Sequence, residues 1–269
     1  MFSLFNKKRR PAKARKTRRA SPPESLSPPE LGQSFTFQRD HCRSLRLTVK
    51  PDGSLLVKAP AAVPLDAVLD FVRSRLAWIR AKQDFFLSHR GEGPQFHDGG
   101  TVFFLGRPFT LRTVPPRRGA KPRLWGGQED GHGDPFLELP CKDGTPEAVE
   151  SAVKAWRLAL ARQVLARRLA RLDELARLRL DDGARPAGLT VRSLKRRWGS
   201  CTVRGQITLA AQLIELPLPL VDYVICHELC HLRRMDHSPA FRAALLRILP
   251  DARERERRIR IWSLEHPRV

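Results

Sequence analysis

The chain has 269 residues, 41% of them hydrophobic, which is enough for one large domain or two small ones and excludes disorder throughout. No run approaches eighteen apolar residues and the five cysteines form no Cys-x-x-Cys pair, so we expect no membrane span, no disulfide framework and a cytoplasmic location. The formal net charge of +22 favours contact with a polyanion, although charge that only keeps a protein soluble explains it as well.

The first segment of the chain is strongly basic. Residues 7–19 carry nine Lys and Arg side chains and no acidic one, and two Ser-Pro-Pro sequences follow within residues 21–29. These residues offer few apolar side chains whose burial could offset the entropy lost on ordering. The sequence therefore predicts a disordered basic arm over residues 1–32, with nucleic acid as a candidate partner.

Residues 33–140 are predicted to form a β-rich N-terminal portion with one helix. Apolar residues alternate over 45–49, a Pro-Asp-Gly sequence turns the chain, and a second alternating run at 55–59 completes a hairpin. Helical spacing of apolar residues over 64–86 predicts the helix. A second hairpin is predicted over 101–111, and a long Pro- and Gly-rich loop then leads to a short strand.

Residues 141–269 are predicted to be mainly helical. Thr145-Pro146-Glu147 is a well-formed helix start, since a hydroxyl caps the first turn and proline suits its first position, and the helix should run to about Leu178. A hairpin over about 189–209 precedes a helix that begins near Pro219 and is apolar on most sides, so it should be buried. Two further helices follow from Ser238 onward.

The buried helix carries the most informative motif of the chain, His227-Glu228-Leu229-Cys230-His231. Residues four apart on a helix lie one above the other, so the two imidazoles can bind one metal ion. Glu228 lies round the helix from both, and there it is better suited to accept a proton from water than to bind the ion. The alternative, two histidines that only satisfy backbone carbonyls in a buried helix, accounts less well for the whole motif.

The third nitrogen ligand is expected to be His237, six residues beyond the motif. Six residues along a straight helix turn through about 600°, so the helix must end or bend after Arg233, and we place that break at residues 235–236. Asp236 is the local competitor for the third ligand position, and Asp222 is a weaker one. Three protein ligands leave one position of a zinc ion for water, which is the arrangement of a catalytic site.

Three segments together carry a family pattern: Trp-Gly-Ser-Cys-Thr at 198–202, the segment 222–232 that contains the motif, and His237-Ser238 followed by Phe241. Over about residues 35–260 the chain resembles the YgjP-like metal-dependent hydrolases, relatives of the SprT-type zinc proteases. The resemblance implies an α+β fold in which a minimal zincin-like catalytic half follows a small β-hairpin-rich N-terminal portion. It also implies a Zn²⁺ cofactor, with the ligands and the catalytic acid/base at His227, His231, His237 and Glu228.

Two roles remain open for the Trp-Gly-Ser sequence at 198–200: it either borders the substrate cleft or is a packed tryptophan beside a glycine bend. A Trp indole and a glycine in the same turn serve either purpose. The sequence alone favours neither.

Three functions are compatible with these residues. The leading hypothesis is a zinc metallopeptidase that hydrolyses a protein or peptide, with Glu228 passing a proton to the leaving amine.

The first alternative uses the same site to hydrolyse a nucleoside triphosphate to pyrophosphate and nucleotide. Four basic residues that suit phosphate oxygens precede the Trp-Gly-Ser sequence, namely Arg192, Lys195, Arg196 and Arg197. The second alternative is a nucleic-acid-associated protein with a structural zinc site, which would need a fourth protein ligand and would leave Glu228 without a task.

Overall fold

A computed structural model describes residues 21–126, 134–181 and 183–267, which form two compact units, residues 21–91 and residues 92–267. The α+β class expected from the sequence is confirmed, because these described residues contain six α-helices and three small sheets with both parallel and antiparallel pairs. The basic run at 7–19 lies outside the described residues.

The first unit is a four-stranded sheet with two helices packed on it. The strand order is β1-β2-β4-β3; β3 and β4 form the predicted hairpin, and β2 lies parallel to β4. Apolar residues that alternate along the strands meet an apolar face of each helix, so one core forms between the layers. The elements are β1 (Glu24–Leu26), a short 3-10 helix (Pro29–Leu31), β2 (Phe35–Arg39), β3 (Arg46–Val49), β4 (Leu55–Ala59), α1 (Leu65–Arg73) and α2 (Leu76–Ser88).

Residues 21–32 are ordered, in contrast to the disordered arm predicted for residues 1–32. β1 pairs antiparallel with β2, and Leu31 is buried in the core of this unit while Leu26 packs against it. Two leucines and an edge-strand pairing therefore stabilise a segment whose Ser-Pro composition alone predicted disorder. Residues 1–20 of that predicted arm lie outside the described part of the chain.

The single helix predicted over 64–86 is two helices, α1 and α2. The Ser74 hydroxyl donates a hydrogen bond to the Phe71 carbonyl, and Arg75 has a φ of −112° and a ψ of 5°, which is not helical. A serine that bonds to the backbone of the preceding turn favours a helix end, and this interrupts the helix although the apolar periodicity continues across it.

Within its described residues, the second unit contains two sheets, four α-helices and one short 3-10 helix. Its four-stranded sheet has the order β5-β6-β8-β7, and its three-stranded sheet has the order β10-β11-β9, in which β10 is an edge strand. The predicted hairpin at 101–111 is the β5–β6 pair. The elements are β5 (Thr101–Phe104), β6 (Arg107–Val114), β7 (Arg123–Trp125), β8 (Phe136–Pro140), α3 (Pro146–Leu180), β9 (Gly188–Arg192), β10 (Gly199–Cys201), β11 (Gln206–Ala210), a short 3-10 helix (Ala211–Glu215), α4 (Leu218–Cys230), α5 (Pro239–Ile248) and α6 (Ala252–Glu265).

Helix α3 joins the two cores of the second unit. It begins as predicted, with the Thr145 hydroxyl accepting a hydrogen bond from the Ala148 amide. Its first turns pack Val149, Val153 and Trp156 on the β5–β8 sheet, and its later turns enter the core around α4. The β5–β8 sheet thus lies in the same unit as α4, whereas the predicted boundary at 140/141 groups it with the N-terminal portion.

The turn between β5 and β6 packs against the start of α4. The amides of Leu105 and Gly106 donate hydrogen bonds to the carbonyls of Ile214 and Glu215, just before that helix. Gly106 has a φ of +83°, and a Cβ there would lie 2.8 Å from the Pro217 ring, so only glycine fits the turn without displacing the entry to α4.

An ion pair joins α3 to α4: the Arg168 guanidinium bonds to both carboxylate oxygens of Asp222, each at 2.5 Å. The pair is largely enclosed, since the two side chains are 21% and 11% exposed.

We expect Arg168→Gln to lower the free energy of unfolding by about 2–4 kcal/mol, because it leaves the Asp222 carboxylate enclosed without its cation. The matched control is Arg257→Gln, which breaks a pair on α6 whose side chains are 66% and 51% exposed and should change the free energy of unfolding far less, because solvent screens an exposed pair. Urea unfolding of both variants tests this, and equal losses would contradict it.

Among the residues that the structure describes, no helix has the length and apolar character needed to cross a membrane.

Candidate metal centre

Helix α4 is buried, as its apolar sequence predicted. Every side chain from Leu220 to Cys230 is enclosed, and the helix contacts α3, α5, α6 and β10. A helix covered on all sides excludes water from the backbone and from any polar side chain that it carries. The environment of the His-Glu-x-x-His motif is therefore largely dry.

The helix ends earlier than the break predicted at residues 235–236. Its last helical residue is Cys230, and His231 is already the C-cap. The amides of Arg233 and Arg234 both donate to the Cys230 carbonyl, which tightens the chain into a turn directly after the motif. His231 Nδ1 lies 2.9 Å from the Arg234 carbonyl oxygen, so this turn also orients the imidazole.

The three predicted histidines come together. One ring nitrogen from each of His227, His231 and His237 lies within 4.8 Å of the others, and the Nε2 atoms of His227 and His237 are 3.1 Å apart. Nitrogens that share a tetrahedral zinc ion lie about 3.4 Å apart, so the cluster has nearly the required size. His227 and His231 are buried and His237 is partly exposed, which leaves an approach to the cluster from solvent. The donor set fits a zinc ion.

The surroundings of the cluster keep His227 in its neutral form, which is the form that binds a metal ion. Burial, together with the neighbouring His231 and His237, holds the pKa of His227 well below its ordinary value. A depressed pKa means that the imidazole is neutral at physiological pH, and only the neutral ring offers a lone pair to an ion.

The competing side chains lie elsewhere. Asp236 is exposed and its carboxylate accepts a hydrogen bond from the Ser238 amide, while Asp222 is held by Arg168. The cysteines of the motif helix are buried thiols, and burial raises the pKa of Cys226. Within the described residues, the three histidines alone make up the cluster that could hold an ion.

Glu228 is the most deeply buried polar or charged side chain among the described residues, with 1% of its surface exposed. It lies against strand β10, where a Cβ added to Gly199 would be 2.7 Å from its Oε1 atom and 2.9 Å from its Cγ atom. Trp198 beside it is packed in the core around α4. The Trp-Gly-Ser sequence therefore combines a core tryptophan with a glycine that contacts the motif carboxylate, a contact that the sequence did not predict.

Phe241 is a second residue whose role the sequence did not predict. The sequence indicated it only as part of the third segment of the family pattern, yet its ring centroid lies 4.9, 4.7 and 4.9 Å from those of His227, His231 and His237. The Ser238 hydroxyl accepts a hydrogen bond from the Phe241 amide and so fixes the start of α5 below the cluster. Its position four residues after His237 is the signal that could have indicated this contact.

Comparison with known proteins assigns a family pattern to most of the chain. Residues 43–261 match the family described as "YgjP-like, metallopeptidase domain", and this range contains every residue of the candidate centre. No curated protein matches the chain. Among solved structures, the metallopeptidase zymogen abylysin of Pyrococcus abyssi is similar at 29% identity over 38% of this chain and 99% of its own, with a TM-score of 0.33.

Proposed function

Since the chain belongs to the YgjP-like metallopeptidase family, we propose that it is a zinc-dependent peptidase with a zincin-like catalytic half, in which His227, His231 and His237 hold the ion and Glu228 is the catalytic acid/base. The observation that carries this proposal is the cluster of three imidazole nitrogens on and just beyond a buried helix, which also carries the buried carboxylate of Glu228 next in sequence to His227. A bound zinc ion supplies Lewis-acid chemistry, since it acidifies water and polarises a carbonyl.

The chain's own residues transfer the proton and position the histidines. Glu228 accepts a proton from the attacking water and returns it to the leaving amine nitrogen, which a carboxylate can do only when it is held near the reacting atoms. The Arg234 carbonyl orients the His231 ring, and Phe241 packs against all three imidazoles. Burial limits the access of bulk solvent to the carboxylate and so strengthens its interaction with the attacking water and the developing charge.

Removal of zinc is expected to abolish peptide hydrolysis and to lower the unfolding temperature. The ion binds only the folded arrangement of the histidines, so at a free concentration 1,000 times Kd it stabilises the protein by about 4 kcal/mol. The measurement is hydrolysis of an unstructured protein substrate and thermal unfolding, each after dialysis against a chelator and again after zinc is restored.

A nucleoside triphosphate is the competing substrate in the same experiment. Zinc-dependent cleavage of the protein substrate supports the peptidase, whereas release of pyrophosphate without cleavage of any peptide bond would replace it by a nucleotide hydrolase. Activity that persists unchanged after zinc has been removed contradicts both.

A further inference from the structure

The contact between Gly199 and Glu228 joins the edge strand of the three-stranded sheet to the motif helix. Gly199 is fixed within β10, where it pairs with Leu209 of β11, and the Trp198 carbonyl before it accepts a hydrogen bond from the Ala210 amide. These hydrogen bonds hold the backbone of the strand in place beside the carboxylate.

The backbone conformation does not explain why this residue is glycine. The φ of Gly199 lies outside the left-handed region, so any L-residue could adopt it. The reason is space, because no side chain fits at position 199: a Cβ would lie 2.7 Å from Oε1, 2.9 Å from Cγ and 3.1 Å from Cδ of Glu228. A clash with the terminal oxygen alone could be relieved by a small rotation, but a clash with Cγ requires the whole side chain to move. Both residues are buried, so little space is available for that movement.

We propose that Gly199 is the positioning residue for Glu228, because the bare backbone of β10 lets the carboxylate lie directly against the strand and leaves it little other space. A substituent at position 199 displaces the carboxylate and leaves the imidazoles where they are, since Gly199 contacts the glutamate and the three histidines are held by α4, the turn after it and Phe241. The catalytic part of this inference rests on the proposed function, and the packing part does not.

The packing part is tested by a double-mutant cycle of Gly199→Ala and Glu228→Ala. The second substitution removes Cγ, Cδ and Oε1, which are the three atoms that the new Cβ would meet. We expect Gly199→Ala to lower the unfolding temperature by roughly 3–10 °C in the otherwise unchanged protein and by less than half of that when Glu228 is alanine. Equal shifts in the two backgrounds would overturn the proposal, whether or not the protein is a peptidase.

The catalytic part is tested by peptide hydrolysis and zinc analysis of Gly199→Ala. We expect kcat to fall by about 100-fold with KM and zinc content unchanged, as a displacement of the acid/base by about 1 Å predicts. A merely structural role would instead lower the active fraction, so the zinc content and kcat would fall together, and that result would overturn the proposal.

Gly188 provides a matched control within the same sheet. A Cβ added there would lie 2.6 Å from Oε1 of Gln206, a clash of similar size, but the atom it meets is the end of a partly exposed glutamine side chain on β11. We expect Gly188→Ala to keep kcat within about twofold of the unchanged protein, since the glutamine can rotate away. A loss of kcat in Gly188→Ala as large as that in Gly199→Ala would contradict a specific role for Gly199.

Discussion

Glu228→Gln is expected to reduce kcat/KM for peptide hydrolysis by about 10²–10⁴-fold while the zinc content stays unchanged. The amide has the shape of the carboxylate but cannot accept and return a proton, so the substitution removes acid/base catalysis and little else. Because Glu228 is 1% exposed, replacement of a buried ionisable group by a neutral one should leave the unfolding temperature equal or higher.

The informative measurement is a comparison of activity and bound zinc on the same preparation. Glu228→Gln with full zinc and no activity supports the acid/base role, whereas full zinc with full activity would eliminate it. Glu174→Gln, which changes an exposed glutamate on α3, is the matched control and should retain activity within about twofold.

His237→Ala is expected to weaken zinc binding by more than about 100-fold and to leave less than about 1% of the activity. His237 is the one of the three proposed ligands that lies outside the motif, after the turn that follows α4, and its Nε2 atom lies 3.1 Å from that of His227. Its loss leaves two histidines, fewer protein ligands than a zinc site normally has.

Asp236→Asn is the matched control for the third ligand. Asp236 is exposed and bonds to the Ser238 amide, so its substitution should leave zinc affinity within about threefold. Isothermal titration of both variants with zinc separates the two residues. Strong zinc binding by His237→Ala together with weak binding by Asp236→Asn would assign the third ligand to the aspartate.

Periodicity explains which parts of the site could be predicted. His227 and His231 are one helical turn apart, so their proximity follows from helix geometry once the helix is recognised. His237 required a second inference, a helix end, and that inference was right in kind although the helix ends at Cys230 and not at residues 235–236. Apolar alternation likewise identified the β3–β4 and β5–β6 hairpins, in which each strand pairs with the next one along the chain. The hairpin predicted over about 189–209 was wrong in its first strand, because β9 lies parallel to β11 and only β10 pairs with β11 as a hairpin.

Contacts between distant parts of the chain could not be predicted in this way. Gly199 and Glu228 are 29 positions apart, and their contact depends on how the three-stranded sheet packs on α4. The parallel pairs, β2 with β4, β6 with β8 and β9 with β11, were also missed. A period of two residues tells which face of a strand is buried and nothing about which strand lies beside it.

Helix α3 determines what the smallest catalytic fragment must include. With 35 residues it extends over about 52 Å, and its buried side chains divide between the core below the β5–β8 sheet and the core around the metal centre. A fragment that begins at residue 141 would retain every residue of the centre, yet it would expose Val149, Val153 and Trp156 to water. The β5–β8 sheet contributes no residue to the cluster of histidines, but it completes the burial of the helix on which that cluster's core is built. The folding cooperativity of the second unit therefore involves many residues that lie outside the histidine cluster.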